Sequence, residues 1–144
     1  MAIPNTSVKR FIEDVDARVS VGLDLPLGLQ PGTSDGNFAT TKTTMDAVRN
    51  DIKLLLMTQK GERLMQPNLG MNIRRFLFEQ ITEDITVQIE NDIVDTFATW
   101  LPFVELREIN IDKKDQDLNR LSIDIKFNIR NAPTELESVG VVLE

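Results

Sequence analysis

The clearest pattern in the sequence is LSIDIKFNIR, residues 121–130. Apolar side chains occupy every second position from Leu121 to Ile129, and polar side chains occupy the positions between them. Successive side chains of a strand point to opposite faces of a sheet, so this alternation predicts an antiparallel strand with one buried and one wet face. The wet face carries Ser122, Asp124, Lys126, Asn128 and Arg130.

Weaker strand patterns flank this stretch on both sides. The apolar positions between Val104 and Ile111 slip in phase between Leu106 and Ile109, which predicts a strand with a β-bulge. Lys113–Asp117 predicts a polar turn. After a break at residues 131–133, Leu136, Val139, Val141 and Leu143 predict a last, weaker strand. Either the stretch 121–130 or this C-terminal segment could form an edge, where unpaired backbone groups are blunted or add a partner's strand.

Two helices precede the strands. Thr43 with Asp46 three residues later resembles a capping box, and the apolar spacing that follows predicts a helix ending at Lys60-Gly61. Thr82 begins a second helix, which Pro102 ends. Its core stripe consists of Ile85, Ile89, Ile93 and Phe97, widened by Val94 and Trp100. Met71–Phe78 predicts a short helix between the two, with Ile73, Phe76 and Leu77 turned inward.

The N-terminal part has a different residue pattern from the rest of the chain. Ser7–Asp16 predicts a short helix, Val21–Leu29 alternates like a strand that Pro26 confines to an edge or an extended arm, and Gln30–Thr44 predicts a loop or linker. We therefore expect an α+β protein with an N-terminal arm and linker over 1–42 and a domain over 43–144. In that domain two main helices pack on a small antiparallel sheet.

Composition excludes most chemistry. The 144 residues include no His, no Cys and no Tyr, and the formal net charge is −7. Imidazole and thiol catalysis and the usual zinc, copper and haem ligands are therefore absent, and we expect no catalytic residue, cofactor or metal. An acidic chain is unsuited to binding the phosphate backbone of a nucleic acid. No apolar run is long enough to span a bilayer. We expect a soluble protein that binds neither nucleic acid nor membrane.

The remaining candidate sites have plain structural explanations. Glu62, Glu79, Glu83 and Asp84 have the residue type of a carboxylate hydrolase, but a loop salt bridge and an N-terminal helical turn explain them better. The aspartates at 112, 115 and 117 lack the glycine and final glutamate of a calcium loop. Trp100 and Phe103 flank a helix end, where they serve either as core or as an interface anchor.

The order of these elements resembles a known family, the sheath-initiator baseplate wedge proteins of contractile-tailed bacteriophages, sometimes labelled lysozyme-like. Its relatives occur in tail-like bacteriocins and type VI secretion systems. The resemblance is carried by Gly61, Glu62, Arg63, Pro67, Gly70, Leu77, Phe78 and Glu79, which we expect to be structural. It extends upstream to about Gly22. Where the family commonly has Glu-Pro-Arg after the long helix, this chain has Leu101-Pro102-Phe103.

The resemblance implies a structural baseplate component that initiates sheath assembly by offering its β-sheet as a template for strands of sheath subunits. It implies sheath protein and other wedge proteins as partners, with the tail tube as a further candidate, in a sixfold arrangement within the virion after synthesis in the host cytoplasm. Trp100, Leu101, Pro102 and Phe103 would contact the wedge core, and the wet-face residues from Ser122 to Arg130 would contact the sheath strand. The alternatives are a carboxylate-based cell-wall hydrolase and the equivalent component of a secretion system or bacteriocin.

Overall fold

The structure is a computed structural model that describes residues 18–33, 36–79, 82–112, 120–130 and 132–143. The predicted helix over 7–16 and the predicted turn over 113–117 lie outside the described residues. The chain forms two compact units, one ending at Asp51 and the other beginning at Ile52.

The first unit contains short antiparallel strand pairs. Strand β1 (Gly22–Leu23) pairs with β4 (Thr40–Thr41), and β2 (Leu29–Thr33) pairs with β3 (Gly36–Phe38). The prediction of a loop or linker over residues 30–44 was therefore wrong. The turn-forming Gly, Ser and Asp residues of that stretch suit a hairpin as well as a linker, and composition does not separate the two.

Helix α1 (Thr44–Met57) begins at the predicted capping box. The backbone N–H of Asp46 donates to Thr43 Oγ1 at 3.2 Å, and the Thr43 hydroxyl donates to the Asp46 carboxylate at 2.6 Å. The helix ends at Met57, before the predicted end at Lys60-Gly61. The Thr58 hydroxyl donates to Leu54 O at 2.7 Å, so it occupies a carbonyl of the last turn where the chain leaves the helix.

The second unit contains the other predicted helices. A 3-10 helix (Ile73–Phe78) buries Ile73, Phe76 and Leu77, as the sequence predicts. Helix α2 (Glu83–Trp100) has Thr82 as its N-cap, and Thr82 Oγ1 accepts from the N–H of Ile85. Its buried face consists of Ile89, Ile93, Thr96 and Phe97. Val94 is half exposed, so the prediction that it widens the core stripe was wrong.

Three antiparallel strands complete the second unit in the order β5 (Val104–Asp112), β6 (Leu121–Ile129) and β7 (Ala132–Leu143). The register of β5 against β6 shifts between Leu106 and Glu108, which confirms the predicted bulge. The inward side chains of β6 are the predicted alternating set, all buried. They form one core layer together with Val139, Val141 and Leu143 of β7. The α+β fold class is confirmed.

The strand order corrects one prediction. Strand β6 lies in the middle of the sheet and pairs on both sides, so LSIDIKFNIR is not an edge strand. Its alternation reports which side chains are buried, but alternation is independent of how many neighbouring strands a strand has. The C-terminal segment, the other candidate, is the one that lies at an edge.

Candidate functional site

Residues of the Gly61–Gly70 part of the family motif hold the loop between α1 and the 3-10 helix in place. The N–H of Gly61 donates to Pro67 O at 2.7 Å, and the N–H of Gln59 donates to the Glu62 carboxylate at 3.1 Å. In the described part of the chain Glu62 forms no ion pair with Arg63, so the expected salt bridge is replaced by this backbone contact. The carboxylate of Glu62 thus closes the turn that follows α1.

Gly70 ends this loop in a position that only glycine fits. Its φ is +99°, and a Cβ built there would lie 2.8 Å from the Thr58 carbonyl carbon. The close approach permits the N–H of Met71 to donate to Thr58 O at 2.8 Å, which joins the two ends of the loop. The loop tip between them carries two apolar side chains that sequence patterning did not single out, Leu64 (96% exposed) and Met65 (92% exposed).

The second part of the family motif, Leu77-Phe78-Glu79, has both buried and exposed residues. Leu77 is buried in the 3-10 helix, whereas Phe78 and Glu79 are exposed. The guanidinium of Arg75 lies 4.4 Å from the centre of the Phe76 ring and 3.7 Å from the Asp92 carboxylate of α2. The ion pair with Asp92 attaches the 3-10 helix to α2.

The predicted wedge contact is a tight turn at the end of α2. The N–H of Leu101 donates to Phe97 O at 2.8 Å, and the N–H of Val104 donates to Leu101 O at 3.0 Å. Leu101 is buried, while Pro102 and Phe103 are exposed. The half-buried Trp100 lines an open depression of about 270 Å³, together with Lys60, Asn68, Asp95, Thr96 and Thr99. The turn therefore exposes Pro102 and Phe103 to solvent or to a partner.

The outer face of the sheet carries an ion-pair network. Glu108 accepts from Lys126 at 2.7 Å and from the Asn110 amide at 2.9 Å, and these hydrogen bonds and the ammonium charge lower the pKa of its carboxyl. Arg107 donates to Asn128 at 2.9 Å and to Glu105 at 3.1 Å.

Four of the five predicted wet-face residues are at least partly accessible, but Asn128 is only 1% exposed. The prediction of a wet position there was wrong. The bulge places Arg107 within reach of the amide oxygen of Asn128, and the guanidinium covers it.

One hydrogen bond shows which residues of β6 direct their backbone groups to β5 and which direct them to β7. The N–H of Arg130 donates to Phe103 O at 3.0 Å, so residue 130 faces β5. In an antiparallel ladder, successive residues face opposite neighbours. The odd-numbered residues of β6 therefore face β7, and the register pairs Ile125 with Val139 and Ile123 with Val141.

It follows that the even-numbered residues Ser138, Gly140 and Val142 direct their N–H and C=O groups to the open side of β7. From Glu137 to Leu143 the register against β6 runs without a shift. No strand of the described residues pairs with this side of β7. All three residues are exposed, and Ser138 and Val142 carry exposed side chains. The edge is thus a regular row of unpaired backbone groups.

The open side of β5 is irregular by comparison. By the same alternation, its outward residues are Val104, Leu106, Ile109 and Ile111, and the bulge interrupts their spacing of two. The N–H of Val104 already donates to Leu101 O. Bulges and extra twist are common means of blunting an edge strand. Among the described strands, β7 is the better template for a further strand.

The described residues carry the candidate catalytic carboxylates on the surface. They contain no group of three or more Asp or Glu side chains placed to hold a metal ion. Glu62 and Glu79, the candidate hydrolase carboxylates, are both exposed. Over the same residues, no helix is both long and apolar enough to cross a membrane.

A small α+β domain with an open, regular strand edge offers that edge as a place where a partner's strand could add. The family profile described as baseplate wedge protein gp25 matches residues 42–134. The chain therefore belongs to the baseplate wedge gp25 family, as the sequence motifs predicted, and is a baseplate wedge component of a contractile tail system.

Known relatives agree with this membership. The chain is 23% identical over 97 residues to baseplate wedge protein gp25 of Enterobacteria phage T4, which covers 67% of this chain and 73% of the relative. A putative tail lysozyme from Geobacter sulfurreducens superposes with a TM-score of 0.60 at 26% identity, covering 71% of this chain and 93% of that one.

Two assembled baseplates contain chains of the same fold. A chain of the anti-feeding prophage baseplate, solved with sixfold symmetrisation, has a TM-score of 0.55 at 24% identity, covering 83% of this chain and 81% of that one. A chain of the type VI secretion baseplate complex has a TM-score of 0.56 at 15% identity, covering 67% and 89%. These two likenesses concern the fold alone.

Proposed function

We propose that the protein initiates contractile sheath assembly by adding a strand of the first sheath subunit to the open edge of β7. The observation that carries the proposal is the row of outward backbone groups at Ser138, Gly140 and Val142. An added strand gains affinity from main-chain hydrogen bonds and specificity from side chains at alternate positions. Membership of the baseplate wedge family supplies the setting in which sheath subunits are the strand donors.

This proposal moves the sheath contact from β6 to β7. Because β6 is paired on both sides, Ser122, Asp124, Lys126 and Arg130 offer only side chains, and strand β7 lies between them and the added strand. A proline at Lys126 would break the pairing of β6 with β5, since even-numbered residues of β6 face that neighbour. That variant would report loss of the fold, so a different experiment is needed.

Proline substitutions at the edge separate assembly from folding. Proline lacks an N–H, and it is tolerated on an edge strand where that N–H faces outward. We expect the double variant Ser138→Pro/Val142→Pro to keep the β6–β7 pairing and to yield baseplates without sheath. The measurement is the fraction of sheathed tails in negative-stain images after mixing with sheath protein, alongside circular dichroism of the isolated variant.

Two controls make the result specific. Ser138→Ala/Val142→Ala removes the same side chains but keeps the N–H groups, and we expect normal sheaths. Val141→Pro removes an N–H that faces β6, and we expect a loss of folded protein instead. Sheathed tails in normal number from a folded Ser138→Pro/Val142→Pro variant would overturn the assignment to β7.

The other contacts that belong to this proposal are those of the wedge. Pro102 and Phe103 are the exposed part of the turn after α2 and would contact the wedge core, while Trp100 and Leu101 set the turn's position. In this arrangement the protein lies in the baseplate of a phage or phage-like particle, with other wedge proteins and the sheath as partners, near the tail tube and in six copies. The family match over residues 42–134 supports a wedge domain that begins near residue 43, and we propose residues 43–144 as that domain and 1–42 as its arm.

The proposed role is structural, without catalysis. One similar chain is described as a putative tail lysozyme, so the enzyme alternative has a direct test. Purified protein should release no soluble fragments from dye-labelled peptidoglycan under conditions where hen-type lysozyme does. Release by the wild type that disappears in Glu62→Gln or Glu79→Gln would contradict the structural role.

A further inference from the structure

Helix α2 has an outer face that is exposed to solvent in the described part of the chain. Its buried residues Ile89, Ile93 and Phe97 lie on one side. The opposite side carries Val87 (53% exposed) and Val94 (48% exposed), with Asn91 and Ala98 also exposed. Val87, Asn91, Val94 and Ala98 are spaced four, three and four residues apart.

This spacing is the a/d repeat of a coiled coil. Seven residues make about two helical turns, so the four side chains form one narrow stripe along α2. Valine occupies the two d positions, and Asn91 and Ala98 occupy the a positions. A single asparagine at an a position is a known device for fixing register and partner number. We call these four residues the seam.

Acidic side chains flank the seam on both sides. Glu83 and Glu90 occupy g positions, and Gln88 and Asp95 occupy the two e positions. Helix α2 carries five carboxylates and no Lys or Arg. Within the described residues only Asp92, which lies off the seam, has an ion-pair partner. The helix dipole accounts for Glu83 in the first turn, but Glu90 and Asp95 lie too far along the helix for that explanation.

We propose that the seam is a docking surface for a basic amphipathic helix of another baseplate protein. Apolar side chains of the partner would cover Val87 and Val94, and its Lys or Arg residues at e and g would pair with Glu90 and Asp95. A second copy of this chain is a poor occupant, because its own seam would bring like charges together. The seam belongs to a different element from the β7 edge, so this proposal stands or fails separately from sheath initiation.

The test uses two synthetic three-heptad peptides with the same Ile and Leu core and one asparagine at an a position. One peptide has Lys at every e and g position, and the other has Glu. The Lys peptide repels itself and stays monomeric, so it is free to bind. Fluorescence anisotropy at low salt should show the wild-type protein binding the Lys peptide at least about tenfold more tightly than the Glu peptide.

Variants locate the binding. Val94→Lys should weaken binding of the Lys peptide by about tenfold or more, since it places a cation in the seam. Leu136→Lys is the matched control, because Leu136 is 60% exposed and lies outside both the seam and the proposed edge row, and its binding should be unchanged. Glu90→Lys/Asp95→Lys should reverse the preference toward the Glu peptide. Val94 and Asp95 are exposed and Glu90 is half-buried, so circular dichroism should show folded variants.

Three results would overturn the proposal. One is equal binding of the two peptides by the wild type. Another is undiminished binding of the Lys peptide by Val94→Lys. The third is self-association of the wild type in analytical ultracentrifugation that Val94→Lys abolishes, which would assign the seam to a second copy.

Discussion

Replacing Gly70 with alanine should destabilise the second unit far more than the same change at Gly61. Both glycines have positive φ, +99° and +90°, and the left-handed region costs other residues about 1–2 kcal/mol. They differ in the space around them. A Cβ on Gly61 would meet nothing within 4 Å, whereas a Cβ on Gly70 would collide with the Thr58 carbonyl.

The collision adds a second cost at Gly70. The obstacle is backbone, so the loop must move, and the hydrogen bond from Met71 N–H to Thr58 O is strained or lost. A net hydrogen bond contributes about 0.5–1.5 kcal/mol. We therefore expect Gly61→Ala to cost about 1–2 kcal/mol and Gly70→Ala about 1.5–3.5 kcal/mol in the free energy of unfolding.

Urea unfolding followed by the fluorescence of Trp100 measures both values, since the chain has one Trp and it lies in the second unit. If the two variants have the same m-value, the slope of the unfolding free energy against urea concentration, then a change in the unfolding midpoint reports a change in stability. A Gly70→Ala variant that loses no more stability than Gly61→Ala would refute the argument that close approach to Thr58, rather than φ alone, requires glycine.

Three other predictions follow from the fold. Phe127→Ala empties a fully buried position and should cost about 3–5 kcal/mol in urea unfolding, whereas Val94→Ala on the surface should change stability by less than about 0.5 kcal/mol; equal losses would contradict the burial pattern. Thr43→Ala removes the capping box of α1 and should lower stability by about 1 kcal/mol, with Thr43→Ser as the control that restores it. The lowered pKa of Glu108 means that its ionised form stabilises the fold at neutral pH and that this contribution is lost as the pH falls through the folded-state pKa. The difference in melting temperature between wild type and Glu108→Gln should therefore shrink in acid, and a constant difference would refute the Lys126 contact.

The elements that sequence predicted well are those whose signal is local. The capping box at Thr43, the N-cap at Thr82 and the inward side of the 3-10 helix each depend on residues within one or two turns. The bulge near Arg107 was also visible, because an extra residue shifts the apolar phase of a strand regardless of its neighbours.

The elements that sequence missed depend on long-range pairing. The central place of β6 follows from two partners that lie before and after it in the chain, and side-chain alternation carries no information about them. The burial of Asn128 depends on Arg107, a residue on another strand. The pairing of β2 with β3 is likewise set by contacts that a Gly-rich stretch does not encode in its periodicity.

The alternation of hydrogen bonds along β7 has a consequence for redesign. Val139 and Val141 face β6 through their backbone and bury their side chains in the core. Ser138 and Val142 direct both backbone and side chain away from the domain. Substitutions at Ser138 and Val142 can therefore be screened as a library with little cost to stability, whereas Gly140 is kept because a Cβ there would lie 2.6 Å from Asp124 Oδ1. If the proposed strand addition holds, one unchanged scaffold could be retargeted to other strand donors.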